Sequence, residues 1–518
     1  MVNVHRGIGF LFLVAELPQS PFTTTDLYKR SHIKQARQLI HPTEMKPSNA
    51  WTLLLPVAFL DFVCCSTDSG PLFLTPLIEQ NRYDEARAKS RVGLFAKEAN
   101  ATAHSGFITV NKTAGSNLFF LHVQAQENPL TAPLMLWTQG GPGLSSLFGE
   151  FLEIGPLAIG ADGRLHKRLE TIQKDVSVVY LDVPVGAGYS FTKDPSGYSR
   201  NLGDIGAVVI EFLRQFLVLF PEYKERDFYV AGESYGARYG VGIAYQLLTA
   251  SVKHVPLKFR GAVAGDGFLG PIVDIADSSE FLYHASMVTQ KGRDVFAKQF
   301  SIMRSLLADR KAPEALLLLL HTIFADDTNP TLFQNLTLYN NQASALYSEM
   351  PANMRKYYQY ANTTGFREAI HVGFDVEFQQ NNKVLLANLA PDYVTDISAE
   401  VELLLNTSKV LYYAGQVDTL FPSTNLRAYI RSLNWTGASE YRSAPRNVWK
   451  THGGSDGISG YIVQVRNFTE AVILGAGHYA AVDKPDEANY LIKNFISSSS
   501  TLAQRARKAS SVMRPFFQ

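Results

Sequence analysis

A serine with glycine two residues away on either side, Gly232-Glu233-Ser234-Tyr235-Gly236, follows the strand-like run Asp227-Phe-Tyr-Val-Ala231 and precedes a helix-like one. In that setting the serine occupies a tight strand-to-helix turn, whose small flanking residues are needed because a side chain there would meet the neighbouring strand or helix. The pattern predicts an outward-facing Ser234 hydroxyl. On its own it also arises by chance in long chains, so its chemistry depends on partners elsewhere.

A serine hydroxyl is a weak nucleophile until a base takes its proton and a carboxylate orients that base. Two residues supply those roles. Asp418 follows the apolar run Val410-Leu-Tyr-Tyr413 and the turn Ala414-Gly-Gln-Val417; His478 follows Val472-Ile-Leu474 and the loop Gly475-Ala-Gly477. The order Ser, Asp, His, each after a strand, is that of an α/β hydrolase. The remaining requirement is a pair of donors for the oxyanion of a tetrahedral intermediate. Gln139-Gly140-Gly141-Pro142-Gly143 follows a strand ending at Trp137, and its glycines let the backbone approach a substrate closely. The amides of Gly141 and Tyr235 are the expected donors.

The elements that must hold these residues are legible as short apolar runs at 134–137, 176–181, 228–231, 261–264, 410–413 and 471–474, the length and composition of strands covered on both faces. Runs 105–110 and 117–123 read as a hairpin turning at Asn111-Lys-Thr-Ala-Gly115. Helical spacing at 202–219 and 485–496 would cover the sheet. The expected architecture is an α/β-hydrolase fold with a mostly parallel central sheet, its first part at 67–267 and its second at 408–497. Between them, 268–407 is helical in pattern, including 292–308 and 313–324 and a loop Asp326-Asp-Thr-Asn-Pro330, and reads as an inserted lid. Residues 498–518 form a basic tail without expected structure.

Composition excludes more than it assigns. The 518 residues carry 48 Lys plus Arg against 47 Asp plus Glu, so no nucleic-acid or anionic-membrane partner is indicated. The apolar run Trp51-Thr-Leu-Leu-Leu-Pro-Val-Ala-Phe-Leu60 is too short for a bilayer core of ~30 Å. With Met45-Lys46 before it and Cys64-Cys65-Ser66 after it, it has the parts of a secretory leader at 45–66, leaving 1–44 as an upstream extension, with a cytosolic arm or a signal-anchor as the rival readings. Seven Asn-x-Ser/Thr sites, at Asn100, Asn111, Asn335, Asn362, Asn406, Asn434 and Asn467, fit the secretory route. Both cysteines lie in the leader, so a mature chain would fold without disulfides.

Several blocks together resemble the serine carboxypeptidase family: Trp137-Thr-Gln-Gly-Gly-Pro-Gly-Leu-Ser-Ser146, Glu153-Ile-Gly-Pro156, Asp182-Val-Pro-Val-Gly186, Gly232-Glu-Ser-Tyr235, Tyr413-Ala-Gly415 with Asp418, and Gly477-His478 with Asp483 and Pro485. The subgroup most similar is that of vitellogenic carboxypeptidase-like proteins, through Pro71-Leu-Phe-Leu-Thr-Pro76, Gly106-Phe-Ile-Thr-Val-Asn111, Asn117-Leu-Phe-Phe120 and Ile370-His-Val-Gly373. The resemblance spans about 70–497. It implies release of single carboxy-terminal amino acids from a peptide or protein through an acyl-enzyme, without metal or other cofactor. It further implies that Gln139, the Gly140 amide and Glu233 bind the terminal carboxylate, with Glu153 bonded to Glu233 and Trp137 shaping the pocket. Two acids beside an anion make sense if one is protonated, and activity is then expected to favour acidic conditions. The implied location is extracellular, lysosomal or vesicular, with a homodimer as one assembly to expect.

Four departures stand out from the family pattern. Gln139 stands where Asn is commonest, Leu144 where Cys is frequent, Tyr235-Gly-Ala-Arg-Tyr-Gly-Val241 replaces Tyr-Ala-Gly-Lys-Tyr-Val-Pro, and Tyr479-Ala480-Ala481 replaces Met- or Leu-Val-Pro. These changes are expected around the leaving-residue pocket. An inactive secreted binding protein and an acyltransferase using the same triad are the competing functions.

Overall fold

The computed structural model describes residues 70–249, 255–324, 329–451 and 457–512, with side chains up to 498. The expected extension, leader and both cysteines lie outside the described residues, as does most of the 326–330 loop.

Among the described residues twelve strands occur in chain order: β1 (Ala103–Asn111), β2 (Ser116–Val123), β3 (Leu134–Thr138), β4 (Leu157–Ile159), β5 (Leu165–Lys167), β6 (Ser177–Leu181), β7 (Asp227–Glu233), β8 (Lys258–Gly265), β9 (Lys409–Gly415), β10 (Asn447–Trp449), β11 (Gly460–Val465) and β12 (Phe468–Ile473). Ten of them form one sheet in the order β1-β2-β6-β3-β7-β8-β9-β12-β11-β10, and β4 pairs with β5 alone. The run from β6 to β12 is parallel, while the outer pairs are antiparallel. This is the α/β-hydrolase fold.

Strand periodicity splits the core in two. Leu134, Leu136, Val179, Leu181, Phe228 and Val230 face a cluster that includes Ile205, Val209, Phe212 and Phe216 of the helix Leu202–Leu219. Their sequence neighbours Met135, Trp137, Val178, Tyr180, Tyr229 and Ala231 face the other side, with Leu491, Ile492 and Phe495 of the last helix. Because alternate residues of one strand are buried on opposite faces, the strands read as unbroken apolar runs. The Leu202–Leu219 helix begins where Asn201 accepts the Asp204 amide at 2.9 Å, a side-chain cap for an otherwise unpaired N–H.

Between β8 and β9 the described chain is helical, from Ile272–Ile275 to Ser398–Thr407. Two features depart from the sequence reading. The last helix runs Pro485–Val512, through what was expected to be an unstructured tail; Leu502-Ala-Gln-Arg-Ala-Arg-Lys-Ala509 consists of good helix formers and continues the turn already begun. The antiparallel edge β10–β11 and the β4–β5 hairpin were not anticipated, because they are short and mix polar with apolar residues.

Candidate active site

β7 ends at Glu233, and the next helix starts at Tyr235, so Ser234 alone makes the turn. Its φ of +57° is the left-handed conformation that non-glycine residues seldom adopt, and the fold holds it there. Glycine at 232 is required, since a Cβ would come within 2.2 Å of the Gly236 carbonyl oxygen. The turn therefore pushes the hydroxyl outward, where it meets His478 Nε2 at 3.0 Å. His478 Nδ1 donates to Asp418 Oδ2 at 2.9 Å, and Asp418 Oδ1 accepts the amides of Leu420 and Phe421 at 2.7 and 2.9 Å. Asp418 and His478 are buried.

The loop after β3 lies directly against this turn. A Cβ on Gly140 would stand 2.7 Å from Ser234 Cβ and 2.8 Å from the Tyr235 nitrogen, so only glycine lets the two backbones come so near. The Tyr235 amide is the first of its helix and has no acceptor within that helix. Gly140 thus brings the loop within van der Waals reach of both Ser234 and the Tyr235 nitrogen.

Behind the loop sits a buried acid pair. Gln139 Nε2 donates to Glu233 Oε2 at 2.8 Å and to Glu153 Oε1 at 3.3 Å, while Trp137 Nε1 donates to Gln139 Oε1 at 3.0 Å and so fixes which way the amide points. Trp137, Gln139, Glu153 and Glu233 are all fully buried. Each acid keeps one oxygen, Glu153 Oε2 and Glu233 Oε1, without a donor among the described residues. Burial raises both carboxyls; Glu233 is driven further by the neighbouring Glu153 and by Asp266. One proton between them relieves both the repulsion and the missing donor.

Glu153 rides on a π-helical turn, Gly149–Ile154, which also carries Glu150. Glu150 is fully buried and neither of its oxygens has a donor among the described residues. Burial pushes its carboxyl up to about 8, opposed by Arg168 and, more weakly, by the nearby Tyr180 hydroxyl and Leu157 amide, neither of which reaches it in good hydrogen-bond geometry. Arg168 Nη1 itself donates to the carbonyls of Glu150, Gly155 and Leu157, which holds the turn together.

Other acids support the site without having been assigned a role from sequence. Asp182 accepts from Ser145 Oγ, the Ser146 amide and the Tyr189 amide, and Ser146 Oγ in turn accepts the Gln139 amide. Asp266 accepts from the amides of Gly415 and Ala480, tying the Asp418 strand to the His478 loop. Its place at the end of β8, in Gly265-Asp-Gly267, was a strand-end signal of the kind that marked Asp418. The insertion also takes part: the His478 amide donates to the Ala343 carbonyl, Ala345 N to Val417 O, and Thr419 Oγ1 to Gln342 O. Among the departures from the family pattern, Tyr479 packs 5.2 Å from both Phe148 and His478, but Arg238 turns elsewhere. It is buried in an ion pair with Asp392 of the insertion, which accounts for a charged residue at this position.

Comparison with known proteins gives the family and the fold. The serine carboxypeptidase family profile matches residues 94–498. A probable serine carboxypeptidase, CPVL, of Homo sapiens is 36% identical over 83% of this chain and 90% of its own. A vitellogenic carboxypeptidase of Aedes aegypti is 31% identical over 83% of this chain and 90% of its own. The fold is that of a prohormone-processing carboxypeptidase of Saccharomyces cerevisiae, with TM-score 0.67 and 19% identity over 80% of this chain and 96% of that one. The chain is a member of the serine carboxypeptidase family.

Proposed function

We propose that Ser234, His478 and Asp418 carry out carboxypeptidase chemistry in which Gln139, the Gly140 amide and Glu233 hold the substrate's terminal carboxylate. Ser234 attacks the last peptide carbonyl as His478 takes its proton; His478 returns that proton to the leaving amino acid; water then hydrolyses the acyl-enzyme. The amides of Gly141 and Tyr235 receive the oxyanion in both halves. The observation that carries this reading is the Glu153–Gln139–Glu233 arrangement, buried beside the nucleophile and short of donors. A protonated Glu233 can donate to a substrate carboxylate, whereas an ionised one repels it.

The pH dependence follows. The raised carboxyls keep their proton under acidic conditions and lose it as pH rises, so kcat/KM should be greatest in acid and fall on the alkaline side. N-blocked dipeptides incubated at about pH 5 and about pH 8 test the whole scheme. Wild type should release the free terminal amino acid, faster in acid, and Ser234→Ala should release none. Equal cleavage of carboxy-amidated peptides would contradict carboxylate recognition, and failure of a serine-directed phosphonate to label the protein would support the binding-protein alternative.

A secretory route is supported by the seven Asn-x-Ser/Thr asparagines, every one of them exposed. Asn362 is the least ready acceptor because its Nδ2 already donates to the Tyr358 carbonyl at 3.0 Å. Among the described residues no helix is long and apolar enough to cross a membrane. Treatment of the native protein with an N-glycan-removing amidase should lower its mass; an unchanged mass would argue against this route.

A further inference from the structure

The oxyanion donors expected at Gly141 and Tyr235 come from two loops that β3 and β7 bring together, and a third segment touches both. Asp392 and Tyr393 are adjacent in a short 3-10 turn of the insertion, Ala390–Val394. Tyr235 Oη donates to Asp392 Oδ2 at 2.5 Å, and Arg238 Nε donates to the same oxygen at 2.8 Å. Arg238 Nη2 reaches the carbonyls of Asp392 and Thr395 at 2.6 and 2.7 Å, which fixes the turn itself. The next residue points the other way along the site: Tyr393 Oη donates to the Gly141 carbonyl at 3.2 Å. The rings of Tyr235 and Tyr393 meet at 4.8 Å, and Phe268 packs against both, at 5.1 and 6.1 Å.

We propose that Asp392 and Tyr393 are positioning residues for the oxyanion site, Asp392 through the Tyr235 side chain and Tyr393 through the Gly141 carbonyl. The physical reason is that both donors are backbone amides, so their aim is set by the torsions of the residues that carry them. Gly141 has no side chain and a φ of +111°, so a bond to its carbonyl restrains the freest residue of the loop. Tyr235 follows the left-handed Ser234 directly, and anchoring its phenol to Asp392 restrains the residue that carries the second amide. Oxyanion stabilisation rests on donors aimed before the reaction begins. The insertion therefore completes the catalytic apparatus instead of only covering it.

This inference rests on the carboxypeptidase reading, and its test keeps the two apart. Asp392 is half of a buried ion pair, so its replacement risks the fold. Tyr235→Phe and Tyr393→Phe each remove a single hydroxyl and keep the aromatic packing. Wild type and variants are compared for kcat and KM on an N-blocked dipeptide, for inhibition by a peptide aldehyde that forms a tetrahedral adduct with Ser234, and for inhibition by the N-blocked amino acid product, which forms none. An inactive wild type defeats the underlying function. With an active wild type, each variant is expected to lose about 10-fold in kcat with KM held within about 2-fold, short of the roughly 10²-fold or greater loss on removing a donor outright. Aldehyde affinity should fall in step with kcat/KM while product affinity stays put. Folded variants with kcat within about 2-fold of wild type, or with aldehyde and product weakened equally, would overturn the proposal.

Discussion

Asp418 and Glu150 are both fully buried carboxyls, yet their surroundings differ completely. Three donors meet Asp418: two backbone amides and the imidazole of His478. No described residue reaches Glu150 in good hydrogen-bond geometry, although Arg168, the Tyr180 hydroxyl and the Leu157 amide are near enough to oppose the rise in its pKa. Glu153 and Glu233 stand between these extremes with one donor each, shared from Gln139. Depth alone therefore does not decide what a buried acid does here. Donors offset the cost of burying a carboxylate without cancelling it: Asp182, met by three donors, is still pushed up to about 7, and Glu150, with no donor in good geometry, to about 8.

The sharpest way to break this comparison is at its best-supplied end. Asp418→Asn preserves shape but offers His478 Nδ1 an amide in place of a carboxylate, and kcat should drop about 10⁴-fold with little change in KM. A loss below about tenfold, measured on an N-blocked dipeptide, would mean the carboxylate is not what orients His478.

The middle of the series is tested by Glu233→Gln, which is neutral at any pH. Wild-type kcat/KM should fall about tenfold per pH unit on the alkaline side once the shared proton is gone, whereas the variant should stay nearly flat there. Superimposable pH profiles would show that repulsion between this pair and the substrate carboxylate is not the controlling ionisation.

The smallest functional effect, but a clear stability effect, is expected at Glu150. Its ordinary value of 4.5 rises to about 8 in the fold. An unfolded chain gives up this proton at lower pH than the folded one, so the fold is penalised progressively between those values and fully above about 8, by up to about 5 kcal/mol. Glu150→Met, similar in length and needing no donor, should raise the thermal midpoint more at about pH 8 than at about pH 5. An equal shift at both would show that packing, not ionisation, separates the two side chains.

Much of the site could be read from the chain because its residues sit at strand ends, where short apolar runs are followed by glycine and then by chemistry. Ser234, Asp418, His478 and the Gly140-Gly141 loop all have that local signature. Asp266 has it too and was passed over, since its partners, Gly415 and Ala480, are each more than a hundred positions away. The Arg238–Asp392 pair has no local mark, because 154 positions separate its members and either alone looks like a surface charge. Glu150 was hidden for a different reason. Regular spacing does not foretell a π-helical turn, and every residue of this one is buried, so no alternation of polar and apolar faces marks Glu150 as enclosed.

The stretch around 342–345 lies along both the Asp418 loop and the His478 loop, bonded to Val417 and Thr419 on one side and to His478 on the other. Those two loops approach the serine from different strands, and this strip of the insertion is the seam between them. A protease that cut the seam would leave every member of the triad on an intact stretch of chain but free the two loops to drift apart. Peptide-bond hydrolysis is then expected to fall although no member of the triad lies in the strip, an effect transmitted through the backbone bonds that join the two loops.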